Sequence, residues 1–280
     1  MGKNLNTKEP IMTSEQMEIK SIVECFLIIA GNYDIEKMEG IISEKANIGI
    51  SRLNEGEWQS TVITVTEYFE DCKTRKLQPY YETVSEWKID INEGQIAFVK
   101  ADAILHIFGV PATRNQDYFT LIKENAKWKF LNLSFTRSLL HEDKKKFDIE
   151  IFAKSYSQAW SGVRPEFVAS FFDEEGSLQV NEGNPAQGRN EIADIANGFM
   201  TDLPDMIVRF DSLKNNPDGI EFHWTLIATN SGPGGTGNNI EVSGYELWEM
   251  GENNLIKKSL GNFPSEEYER QISLNDNNKQ

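Results

Sequence analysis

The feature that most limits what this chain can fold into is an order that occurs twice: helical periodicity first, strand alternation after. In the first half, EQMEIKSIVECFLIIAGNYD places Met17, Ile22, Val23, Phe26, Leu27 and Ala30 at helical spacing, with Thr13 or Ser14 as N-cap. DIEKMEGIISE predicts a second helix, ANIGISRL a strand, and ITVTEYFEDCKTRK a third helix. Strand patterns then occupy YYETVSEWKIDIN, QIAFVKADAILHIF, DYFTLIKEN and KWKFLNLSF, with NEGQ and ENAK as hairpin turns and GVPATRNQ as a longer loop. After a charged connector, SLLHEDKKKFDIE, the order returns. Helices in IFAKSYSQAWSG and RNEIADIANGFMTDL accompany strands SLQVN, MIVRFDSLKN, IEFHWTLIAT, NIEVSGYELWEM and NLIKKSLGNF. Gly31 and Gly162, Gly94 and Gly219, and Phe135 and Phe263 align at an offset of about 125 to 130 residues. Helices preceding an antiparallel sheet argue for an α+β class, here as a tandem duplication. The expected division is 14–136, a linker at 137–148, 149–272, and a disordered tail at 273–280; the first dozen residues read as frayed.

Alternation along 220–263 places Phe222, Trp224, Leu226 and Ala228 on one face of a strand. Val242, Gly244, Glu246 and Trp248 share one parity of the next, so Glu246 is expected among tryptophans on an apolar surface. Desolvation there raises a carboxyl pKa and suits it to proton transfer; a structural acid bonded to a tyrosine or to backbone is the alternative.

Composition narrows the partners. The formal charge is −16, with 16 basic and 20 acidic side chains in residues 1–140 against 12 and 24 in the rest. So acidic a surface disfavours nucleic acid and anionic membrane. The longest apolar run, IVECFLIIAG, is interrupted by Glu24 and is too short to span a bilayer. Two cysteines, Cys25 and Cys72, exclude a disulfide framework. His106, His141 and His223 have no metal-ligand spacing, so neither metal nor cofactor is expected. The opening MGKNLNTKEPIM lacks the apolar centre of a secretory signal: the expected location is cytoplasmic if this start is native and external if a signal preceded it.

Tyr156, Trp160, Phe171, Phe172, Phe199, Met200, Trp224 and Trp248 are the candidates to line a ligand cavity in the second half, a packed core being the competing reading. SGPGGTGNN lacks a GK[ST] ending and a following helix, so it reads as a strand connector rather than a phosphate loop. By parity His223 belongs on the outer sheet surface. In the first half Phe26, Tyr33, Trp58, Tyr68, Phe69, Tyr118 and Trp128 are the aromatic candidates for a second pocket; Asp102 and His106 could be its polar groups or could face outward.

AWSGVRPEFVASFFDEEGSLQVNEGNPAQGRNEI, GFM, TGNNIEVSGYELWEM and LIKKSLGNF together resemble a SnoaL-like domain of the ketosteroid isomerase and nuclear transport factor superfamily, over nearly all of 149–272. SEQMEIKSIVECFLIIAGNYDIEKM and YFTLIKENAKWKFLNLSF resemble the group described as putative lumazine-binding in that superfamily, over 14–136. The resemblance implies two cone-shaped, cystatin-like α+β barrels, each a curved antiparallel sheet wrapped around three helices, with a pocket at the open end. It also implies pairing through the outer sheet faces, here an intramolecular pseudo-dimer that could associate further. The acid/base residue of the cyclases falls at Glu246, a glutamate in place of aspartate; the loop histidine falls at Asn230, and the isomerase base near Val180 and Asn181.

Three functions follow as expectations. The leading one is binding of a small apolar or aromatic ligand in the second cone, with Asn230 and the aromatic set around it. The others are an acid/base enzyme of cyclase, isomerase or dehydratase type using Glu246, and a non-catalytic assembly module.

Overall fold

The computed structural model describes residues 12–273; the expectation for the first dozen residues, Met12 apart, lies outside them. Helix α1 (Ser14–Gly31) begins in a capping box between Thr13 and Gln16 and is followed by α2 (Ile35–Ile41). The first half continues through β1 (Ile42–Asn54), β2 (Glu57–Thr64), α3 (Val65–Thr74), β3 (Tyr81–Asn92), β4 (Ile96–Ile107), β5 (Val110–Glu124) and β6 (Lys127–Leu139). The second half contains α4 (Ile149–Trp160), α5 (Pro165–Ala169), β7 (Phe172–Val180), β8 (Ala186–Gln187), α6 (Gly188–Asp202), β9 (Ile207–Asn216), β10 (Gly219–Thr229), β11 (Asn239–Met250), β12 (Ile256–Asn262) and α7 (Ser265–Ser273).

Each half forms a six-stranded sheet, in the orders β2-β1-β6-β5-β4-β3 and β8-β7-β12-β11-β10-β9. The chain is therefore α+β in two halves. Both sheets depart from the expected form in two ways. They are mixed, because β1 pairs with β6 and β7 with β12 in parallel, and they stay open rather than closing into barrels.

Sequence reading missed β2 and α7, and it took GVPATRNQ for a loop. That segment is instead the start of β5, entered by a tight turn in which Phe108 (φ 47°) and Gly109 (φ 74°) both have positive φ. Of the tail expected at 273–280, Ser273 closes α7 and the rest lies outside the described residues.

Two buried clusters make the cores, one per half. They meet where α4 packs beside β3, at the end of α1, and at the turn between β4 and β5. Asn32 donates to the Gln158 carbonyl (2.6 Å), Gln158 donates to the Tyr80 carbonyl (2.8 Å), and Tyr33 and Phe108 set their rings against Phe167 and Phe171. Gly31 permits this approach, since a Cβ there would lie 2.5 Å from the Gln158 amide nitrogen.

Candidate functional site

An interior cavity of about 240 Å³ lies in the first half, between the concave sheet face and α1 and α3. Strand register sets its chemistry. Across β1, β6 and β5 the inward row is Arg52, Arg137, Asn115, and the next is Ile50, Phe135, Asp117. On β4 the matching positions are Ala103 and Ala101. Strands two apart are separated by about 10 Å, so their side chains meet only over small residues. Over Ala103, the Asn115 amide reaches Glu82 on β3, donating to its carboxylate at 2.7 Å, while Thr113 donates to the Asn115 amide oxygen at 3.1 Å.

Of the three acids lining this cavity, Asp71 is paired with Arg75, whereas Glu82 and Asp117 have no cationic partner within ion-pair distance among the described residues. Asp117 is 4% exposed, and its Oδ2 is buried without a hydrogen-bond partner. The Arg137 Nε is likewise buried and unpartnered, and among the described residues no ion pair joins Arg137 to Glu82 or Asp117. Burial, with the Glu82 charge adding to it, pushes the Asp117 carboxyl up to about 8; burial pushes Glu82 to about 7 against the opposing Asn115 hydrogen bond. Such a pair carries about one proton at neutral pH. Tyr68 and Tyr80 also line the space, and burial holds their phenols well above the ordinary value, as protonated donors.

The second half centres on Glu246, which is 6% exposed. Its Oε2 accepts from Ser259 (2.7 Å), Trp248 Nε1 (2.9 Å) and Tyr156 (3.2 Å), whereas Oε1 has only a 3.4 Å contact with Tyr156. Burial raises its pKa, opposed by the bonds from Trp248, Ser259 and Tyr156. Arg209 cannot add to that opposition, because it points outward to Asp211. Beside Glu246 lies an apolar void of about 50 Å³, bordered by Trp160, Phe199, Trp224, Val242 and Phe263 and by Tyr268 of α7. Helix α7 is tied down by reciprocal bonds between Gln271 and the Glu241 backbone.

Comparison with known proteins identifies the two halves. Residues 153–259 match the SnoaL-like domain family, and residues 14–136 match the family described as "Putative lumazine-binding". The second half is a SnoaL-like domain. Solved structures similar to this chain include a hypothetical protein with a ketosteroid isomerase-like fold from Catenulispora acidiphila, solved with trimethylamine (16% identity, 43% of this chain and 90% of that one, TM-score 0.38). They also include NTF2-like proteins of unknown function from Silicibacter pomeroyi (15%, 45% and 99%, 0.33) and Shewanella baltica (19%, 45% and 98%, 0.34). No curated protein matches.

Within the SnoaL-like domain the candidate residues separate into three groups. Trp160, Phe199, Trp224 and Glu246 border the void. Tyr156, Phe171, Phe172 and Trp248 are fully packed core, and Met200 lies at its edge. Asn230 does neither: its amide oxygen accepts from the Thr236 N–H at 2.7 Å and organises the glycine loop. Val180 borders the void, while Asn181 accepts from the Phe263 N–H. His223 sits on the outer face against Glu221, as parity required.

In the lumazine-binding-type half, Phe26, Tyr33 and Tyr68 line the cavity, Phe69 and Trp128 are core, and Trp58 and Tyr118 are exposed. Asp102 and His106 lie on the convex face, away from the cavity. Asp102 accepts from Gln116, and His106 is paired with Tyr81 and buried near Asp148. The residues that sequence reasoning passed over are Glu82, Asn115, Asp117 and Arg137. The signal was present in period-2 polarity along RNQDYF, where Asn115, Asp117 and Phe119 share a face.

No helix among the described residues is long and apolar enough to cross a membrane, and no group of three or more His, Cys, Asp or Glu among them could hold a metal ion.

Proposed function

We propose that this protein binds a small molecule, and that the ligand is held in the cavity of the lumazine-binding-type half. The observation that carries this reading is the pair of buried, unpartnered polar atoms, Asp117 Oδ2 and Arg137 Nε, in residues lining one space of about 240 Å³. Buried polar groups are almost always hydrogen-bonded, and leaving one unmade costs about 1–3 kcal/mol, so a cavity with free groups of both polarities is complementary to an occupant. Aromatic and aliphatic walls with a few convergent polar groups are the usual make-up of a small-molecule site. The SnoaL-like half then acts as a packed support.

Acid–base chemistry at Glu246 is a second reading, favoured by one observation: Oε1 carries only a long contact at the edge of the void. The void's roughly 50 Å³ takes only a few water-sized groups, so a substrate there requires α7 to move.

A fragment screen by thermal shift tests the first reading on wild type and on Ile50→Trp, which fills the cavity from β1. Stabilising hits are expected with wild type and are expected to disappear in a variant that keeps the parent's far-UV circular dichroism. Hits that persist in Ile50→Trp, or no hits with wild type, overturn the assignment.

A further inference from the structure

Two arginines stand side by side at the cavity, Arg137 half-buried and Arg52 exposed at its rim. Arg52 and Arg137 are directly paired across the parallel strands β1 and β6, and both line the cavity. Like charges at paired strand positions are destabilising unless something neutralises them. Among the described residues neither guanidinium has a carboxylate within ion-pair distance, although the chain carries 44 acidic side chains against 28 basic ones. Arg137 lies beside the Phe135 ring, at 5.4 Å, and is near enough to Glu82 and Asp117 to act on their charges without an ion pair to either. A third arginine, Arg75, borders the same space but is already paired with Asp71 at 3.1 Å.

Acids flank the arginines on the same sheet face: Asn115, which holds Glu82, lies opposite Arg137 on β5, and Asp117 lies one row further along, opposite Phe135, so a second negative charge on a ligand would meet carboxyl groups in a poorly hydrated space. Beyond Asp117 the cavity turns apolar, with Ile48, Leu133 and Phe119 in the next row and Phe26 of α1 also lining it.

Resting on the reading that this cavity holds the ligand, we infer that the ligand is a small organic monoanion: a carboxylate set against Arg137 and Arg52, an apolar or aromatic body, and a neutral hydroxyl or amide group reaching Asp117. A planar guanidinium is suited to bidentate contact with a carboxylate, and the free Arg137 Nε supplies one of the donors. A neutral polar group satisfies Asp117 Oδ2 without adding charge beside Glu82. A cation is disfavoured by the paired guanidiniums, and a dianion by the two acids.

The test compares 4-hydroxybenzoate with 4-hydroxybenzamide, which share size and hydroxyl and differ in charge, by calorimetric titration of the full chain at low salt. The acid is expected to bind about tenfold or more tightly than the amide, the scale of one charged hydrogen bond. Arg137→Gln is expected to remove that preference. Equal affinities for the two compounds overturn the inference without needing any variant. If both are then lost in Ile50→Trp, the cavity remains the site and only the anion assignment fails. Failure of the acid to bind at millimolar concentration also overturns the anion assignment, while the cavity itself is judged by the wider fragment screen.

Discussion

Replacing Trp248 with alanine is expected to lower unfolding stability by about 3–5 kcal/mol, the range for a buried aromatic truncated in a core. Trp248 is fully buried and stacks on Phe222 with ring centroids 4.7 Å apart and planes within 15°. Its edges meet Phe152 and Tyr156, and its indole N–H donates to Glu246. Truncation therefore opens a cavity and also removes a donor from a buried carboxyl. Against a typical total of about 5–15 kcal/mol, that loss is large. Trp224→Ala is expected to cost less, because Trp224 is half-buried at the edge of the void and its N–H has no partner. Urea unfolding of the two variants decides this. A Trp248→Ala midpoint at the parent value, with Trp224→Ala collapsed, contradicts the packing described.

Raising the pH from about 5 to 8 is expected to destabilise the first half. The carboxyls of Asp117 and Glu82 have folded pKa values raised to about 8 and about 7, above those of the unfolded chain. Between the unfolded and folded values the native state holds more protons than the unfolded state. Stability therefore falls with rising pH, by up to about 1.4 kcal/mol per unit for each proton held. The groups facing the pair act in both directions: Arg137 lowers both values, while Asp102 on the convex face raises Asp117 further. Acids with lowered values, such as Glu267 beside Arg270 at about 2, are surface groups whose contribution is lost only in stronger acid, outside this window. Asp117→Asn removes one of the two titrating groups and is expected to flatten the fall and to stabilise the protein at pH 8. Midpoints measured from pH 5 to 8 that stay level in wild type, or an Asp117→Asn variant that is less stable at pH 8, contradict this electrostatic picture.

The fold was largely legible in the sequence because periodicity reports burial, and burial repeats in both halves. Val242, Glu246 and Trp248 share one face as alternation required, and Glu246 lies buried beside Trp248 and Tyr156. What alternation does not report is free volume. Trp224 and Trp248 have the same parity, yet one borders a void and the other is packed, because Trp224 pairs with Gly244 and Trp248 lies under Phe222. Edge strand β2 was missed because most of its residues are exposed. The first-half cavity was missed for a more instructive reason. Its floor is polar, so TRNQ read as loop, and Glu82 meets Asn115 only over a strand whose alanines leave room. A polar run inside a strand violates the local pattern, and such violations concentrate at functional sites. The same polarity drew attention to Asp102 and His106, whose parity puts them on the other face.

Crystals of the full chain soaked with the fragments that stabilise it test the central claim most directly. Density is predicted in the first-half cavity, between Asp117 and Arg137, with the void beside Glu246 unchanged. Fragments seated beside Glu246, with α7 displaced and the first cavity holding only water, would show that the SnoaL-like half is the binding domain.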